Sequence, residues 1–172
     1  MLALVIPTVI GDRLLTYLDV PTERMAFLLA KPTPGLEFWT VVDDLYLADE
    51  LDYHYQGMHG MELADAVRPR VLSWATRPDV ALIEVHSHGH LSHTTTFSPT
   101  DLDGLEEVVP QMLWRLRGRP YAALVLGSDD LDALAWSDRS QPPTTLSSVV
   151  IADRTLTPTG IAVAILSRKD DH

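Results

Sequence analysis

The side chains of this 172-residue chain that could do chemistry cluster between Glu84 and Asp101, which reads Glu-Val-His-Ser-His-Gly-His-Leu-Ser-His-Thr-Thr-Thr-Phe-Ser-Pro-Thr-Asp. An apolar run, Val80 to His88, leads into it and has the pattern of a buried strand. Successive side chains of a strand point to opposite faces, so Glu84, His86 and His88 share one face while Val85 and Ser87 share the other. Two imidazoles at this spacing can converge on one metal ion. After a loop, Ser98-Pro99-Thr100-Asp101 has the composition of a helix start: serine caps, proline suits the first turn, and an acid sits near the positive end of the helix. Alone, Ser-x-x-Asp is a capping pattern, and alone His-x-His also describes solvated histidines at a strand end. Together, His86, His88 and Asp101 make three ligands and leave a fourth zinc position for water. His90 and His93 lie in the same loop and admit a second reading, a histidine-rich segment that holds metal without doing chemistry.

The elements that must position these groups can be read from pattern. Helices are expected over Ile10–Leu18, Met61–Thr76 and Asp101–Leu116. Pro69 should kink the second or mark its true start, and the third contains Pro110. Strands are expected at Met25–Ala30, Glu37–Leu47, Val80–His88, Tyr121–Gly127, Leu131–Ser137 and Ser147–Ala152. Lys31 to Gly35 reads as a turn, Asp49–Gly60 as irregular, and Ser167–His172 as a frayed tail. Helices and strands interleave, which makes a mixed α/β domain.

Composition narrows the classes of function. With 46% hydrophobic residues the chain can bury a proper core as one domain spanning residues 1–172. No apolar run approaches the roughly 20 residues that span a bilayer, and Met1 to Ile10 lacks a basic leader, so an untargeted cytoplasmic protein without membrane partners is expected. The net charge of −11, with only 13 scattered Lys and Arg, argues against a nucleic-acid partner. Cysteine is absent, so a metal must be held by imidazole and carboxylate.

The His86-x-His88 pair followed by Ser98-Pro99-Thr100-Asp101-Leu102 resembles the signature of the JAB/JAMM (MPN-type) metalloproteases, in particular bacterial members. That signature also has a distant upstream glutamate. Pro21-Thr22-Glu23-Arg24-Met25-Ala26-Phe27 is similar to its context, after an N-terminal helix and a proline and at the start of a buried strand. The likeness extends over about the first three quarters of the chain by order of elements. It departs in having Gly89 where proline is usual, a spacer between His88 and Ser98 about two residues longer than the common one, and Ala26 and Ala30 where small glycines are frequent.

The resemblance implies a cytidine-deaminase-type JAB/MPN-like fold, with a central, mostly antiparallel, curved sheet flanked by helices. It also implies one Zn2+ per chain on His86, His88 and Asp101, Glu23 as acid/base catalyst, and Ser98 as oxyanion donor. Glu84, on the histidine face, is the rival base or an orienter of His86. The implied activity is a hydrolase, an isopeptidase cleaving after the tail of ubiquitin or a ubiquitin-like protein. The partners are then that protein or its conjugates, with Tyr53, His54, Tyr55 and His59 as a candidate partner-binding segment. Oligomeric state stays open. A metal-free scaffold of the same fold and a histidine-rich metal-binding protein are the alternative readings.

Overall fold

The computed structural model describes residues 2–91 and 95–169. His93 and the last three residues, where part of the expected tail falls, lie outside that range. Among the described residues the strands are β1 (Ala3–Ile6), β2 (Arg24–Pro32), β3 (Phe38–Leu47), β4 (Tyr53–Gln56), β5 (Met61–Leu63), β6 (Ala81–Ser87), β7 (Tyr121–Leu126), β8 (Leu131–Trp136), β9 (Ser148–Ile151) and β10 (Arg154–Leu156). The helices are α1 (Thr8–Leu18), α2 (Val67–Trp74), α3 (Pro99–Leu116) and α4 (Ile161–Lys169). None of them is long and apolar enough to cross a membrane.

Eight strands form one mixed sheet in the order β10-β9-β1-β3-β2-β6-β7-β8. The expected antiparallel character holds at β2–β3, β2–β6, β7–β8 and β9–β10, whereas β1–β3, β1–β9 and β6–β7 are parallel. The sheet curves until it nearly closes, with a bridge from Leu131 in β8 to Pro158 just beyond β10. Strands β6, β7 and β8 are buried at every position, the reason their sequences read as largely apolar runs rather than alternating ones.

Two apolar clusters fill the two faces. Leu28, Ile83 and Leu124 pack with Leu14 and Leu18 of α1 on one face. Phe27, Leu29, Leu82 and Val125 pack on the other face with Val71 of α2, Leu105 and Leu113 of α3, and Ala162 of α4. Residues 84, 86 and 88 belong to this second, three-helix face. Helix α3 runs unbroken through Pro110. A proline in a helix interior costs about 3 kcal/mol. Six buried side chains of this helix, among them Leu102, Leu105, Val109 and Leu113, outweigh it at about 1.5–3 kcal/mol for each large one.

Several expectations are corrected. Asp49–Gly60 is regular: a 3-10 turn at Glu50–Asp52 leads into β4, which pairs with β5 as a separate two-stranded hairpin. Met61–Leu63 is therefore strand, and the helix expected from Met61 begins at Val67. Pro69 sits in its first turn, where the missing N–H has no partner to lose. Strand β2 continues through Lys31 and Pro32, where a turn was expected. Ser167 to Lys169 close α4 rather than fray, with Lys169 Nζ 2.7 Å from Glu106 on α3. The apolar start of the chain is β1, between β3 and β9.

Candidate metal centre

His86 is on β6, and His88 follows that strand directly. Their Nε2 atoms are 3.2 Å apart. Asp101 Oδ2 completes a triangle, 3.0 Å from His88 Nε2 and 3.5 Å from His86 Nε2. Ligands about 2.0–2.1 Å from a tetrahedral zinc stand about 3.3 Å from one another. The three sides scatter around that value, so the group can hold a metal ion. Without one, three lone pairs would face each other and a proton must fill the gap. The bond to Asp101 accordingly lifts the His88 imidazole above its ordinary value, against desolvation and with help from Glu23. Burial opposes the charge on Asp101, but its bonds with His86, His88 and Ser98 prevail and hold the carboxyl far below the usual carboxylate range.

Asp101 reaches the histidines because of how α3 begins. Ser98 is its N-cap: Asp101 N–H donates to Ser98 Oγ at 3.1 Å, and Ser98 N–H donates to Asp101 Oδ2 at 2.7 Å. The capping box therefore orients the carboxylate as well as starting the helix. Ser98 Oγ accepts in this arrangement, leaving its own proton to donate into the cleft that it lines. Upstream, Thr96 Oγ1 bonds Asp132 at 3.1 Å, and the same carboxylate receives the Ala162 N–H at the start of α4. Asp132 thus ties the loop before Ser98 to the fold.

Glu23 comes from the neighbouring strand. β2 and β6 pair Met25 with His86 and Arg24 with Ser87, and the same antiparallel register continued by one residue sets Glu23 beside His88. Only 8% of Glu23 is exposed. Burial pushes its carboxyl above the ordinary value, partly offset by His88 and His86. Its backbone is clamped by the β4–β5 hairpin: Glu23 N–H donates to Gly57 O at 2.9 Å, and Gln56 Nε2 donates to Glu23 O at 2.8 Å. Gly89 holds the other side. It has φ +70°, and a Cβ there would lie 2.5 Å from Pro21 O, so glycine is required where the chain after His88 crosses the chain before Glu23.

The remaining sequence candidates have other partners. Glu84 lines the cleft, but its Oε2 accepts from Arg68 Nη1 at 3.1 Å and from the Tyr121 hydroxyl. It does not orient His86, whose Nδ1 is buried without a partner among the described residues. His90 turns outward, with its Nδ1 3.4 Å from Asp19 on the surface, apart from the metal triangle. The Tyr53 hydroxyl points inward, accepting from Met25 N–H at 2.9 Å and meeting Tyr17. His54, Tyr55, Met58, His59 and Glu62 are the exposed members of that hairpin, and His59 also lines the cleft.

The sequence reading missed three residues that shape the site. Arg68 and Tyr121, with Glu84, form a buried polar network beside the histidines, and no spacing in the sequence announces a trio that only the sheet and α2 bring together. Tyr17 bonds the Met25 carbonyl and steadies the start of β2. The cleft enclosing these groups has a volume of about 930 Å³ and lies between the β4–β5 hairpin, α2 and α3. It holds Glu23, His86, His88, Ser98 and Asp101 together, so donor triangle, carboxylate and hydroxyl all face one space. Neither protein-family models nor curated proteins give a match to this chain.

Proposed function

We propose that this chain is a zinc-dependent peptidase or isopeptidase of the JAB/JAMM type, acting after the C-terminal tail of a ubiquitin-like protein. The observation that carries the reading is the meeting, in one cleft, of the His86–His88–Asp101 triangle with buried Glu23 and the Ser98 hydroxyl. The curved mixed sheet, with the triangle on its three-helix face, supports the JAB/MPN-like form of the α/β fold.

A zinc ion held by His86, His88 and Asp101 supplies Lewis acidity that activates water and polarises a scissile carbonyl. Glu23 accepts the proton of the attacking water on its carboxylate and delivers it to the leaving nitrogen as the C–N bond breaks. Ser98 donates its hydroxyl proton to the carbonyl oxygen as negative charge builds there, an effect of about 3 kcal/mol in comparable sites. The hairpin and Gly89 fix Glu23 against His88, so the base is oriented before substrate arrives. The alternative of a histidine-rich metal buffer would use His90, which bonds Asp19 instead.

Metal analysis of purified protein, together with cleavage of a ubiquitin-like fusion by wild type and Glu23→Gln, tests the proposal. One zinc per chain is expected in both, with cleavage reduced about 10²–10⁴-fold in the variant. Absence of zinc, or equal cleavage by the two proteins, refutes it.

A further inference from the structure

The cleft continues past the metal triangle. From His86 its floor runs back to Glu84, two residues away on the same face of β6 and so about 6.6 Å along the strand. There the buried Glu84 carboxylate accepts from the fully buried Tyr121 hydroxyl and from Arg68, which reaches in from the first turn of α2. The Arg68 side chain keeps 27% exposure and lines the cleft. A guanidinium carries five N–H donors in a planar fork, and Glu84 accepts from one nitrogen of it, Nη1. The rest of the side chain contributes to the cleft wall.

We infer that Arg68 is a substrate subsite for a carboxylate carried within two residues of the bond that is cut, either the C-terminal carboxylate of the substrate or an Asp or Glu side chain. The inference rests on the peptidase reading of the His86–His88–Asp101 site and names part of its substrate. A buried ion pair kept for stability alone gains little over apolar side chains of the same size. An arginine committed only to Glu84 would also need no edge in the cleft. Among the described residues lining the cleft, Arg68 is the only lysine or arginine, against carboxylates at Glu23, Glu62, Asp65, Asp101 and Glu107 besides its partner Glu84. Away from the metal triangle, it is therefore the one arginine or lysine along the described cleft that a substrate carboxylate can meet. Its anchoring by Glu84 and Tyr121 fixes the plane of the fork, which two-point bonding to a carboxylate requires. Across the cleft α3 presents Gly104, where an added side-chain carbon would meet nothing within 4 Å, so a chain has room to pass.

Binding can be read without turnover. The zinc-loaded full chain carrying Glu23→Gln is titrated with fluorescein-labelled Gly-Gly-Gly-Ala as free acid, the same peptide as amide, and Gly-Gly-Asp-Ala as amide, with fluorescence anisotropy as the readout. One of the two carboxylate-bearing peptides is expected to bind at least about tenfold more tightly than the neutral amide, and which one does so identifies the source of the carboxylate. Adding the paired change Arg68→Gln/Glu84→Gln, which strands no buried charge, should bring that preference below about twofold. Arg68→Lys, which keeps the charge but loses the fork, should leave an intermediate preference. Equal binding of all three peptides, no binding of any, or a preference that survives the paired change overturns the inference. The peptidase reading fails separately: wild type would leave a ubiquitin-like fusion uncut while the Arg68-dependent preference stayed intact.

Discussion

Zinc should stabilise this protein more at pH 8 than at pH 6, and the metal-free protein should change in the opposite sense. In the apoprotein the His88 imidazole sits 3.0 Å from Asp101 Oδ2 and is raised above its ordinary value. A raised folded-state value means that this pair contributes stability fully below about pH 6.5, the unfolded value of histidine, and loses it as pH climbs through the folded value. Asp101 is held far below the carboxylate range, so its contribution is present above about pH 4 and is lost only in acid, leaving the window from pH 6 to 8 to His88. Zinc must displace the His88 proton, so its affinity should fall about tenfold per pH unit once that histidine is protonated. Zinc at 100 times its Kd stabilises by about 2.7 kcal/mol. For a chain of this size that is about 5–11 °C in Tm. Thermal melts with zinc and with a chelator at pH 6, 7 and 8, run on wild type and His88→Ala, supply the assay. The expected result is a zinc-induced shift that grows with pH in wild type and is largely lost in the variant, above an apoprotein Tm component from His88 that falls with pH. A zinc shift independent of pH, or one retained by His88→Ala, refutes the triangle as the metal site.

Ser98→Ala should cost about 1 kcal/mol of stability through the lost α3 cap and, separately, about 10²-fold in kcat through the lost oxyanion donor, measured by melting and by fusion cleavage. Gly89→Ala should destabilise by about 1–3 kcal/mol because both its φ and its contact with Pro21 O oppose a side chain, and chemical denaturation measures it. Arg68→Ala leaves the Glu84 charge buried without its cation and should cost about 3 kcal/mol, whereas Arg68→Leu/Glu84→Leu should cost less than Arg68→Ala, a comparison that urea unfolding decides.

The parts of the site that were legible in the sequence are those held by local geometry. His86 and His88 share a face because a strand alternates, and Ser98 brings Asp101 to the start of α3 because a capping box spans three residues. Glu23 lies more than 60 positions upstream, and only the resemblance to the JAB/JAMM signature points to it, through the proline before it and the buried apolar strand after it. The hairpin at 53–63 could not. Its first strand alternates tyrosine with histidine and glutamine before two glycines, and its order comes from bonds to Glu23 and Met25 and from Met61 and Leu63 against the core, contacts that exist only after β2 is in place. Strand β5 and the start of α2 were merged into one helix for the same reason, since Met61 to Leu63 has no partner until the hairpin closes.

Glu84 shows what alternation leaves undecided. Strand geometry assigns it to the histidine face, and β6 does present it there, but a face does not specify a partner. The partner is set by what the neighbouring elements supply, here the Tyr121 hydroxyl from parallel β7 and the Arg68 guanidinium from α2. Both bonds meet at Glu84 Oε2, so this carboxylate is paired with a cation and makes no bond to His86. Glu23 has no comparable cation among the described residues: burial raises its carboxyl, and His88 and His86 pull it back only in part. Of two glutamates beside one triangle, Glu84 is committed to holding Arg68 and Glu23 remains able to take up a proton, which is why the proposed chemistry runs through Glu23.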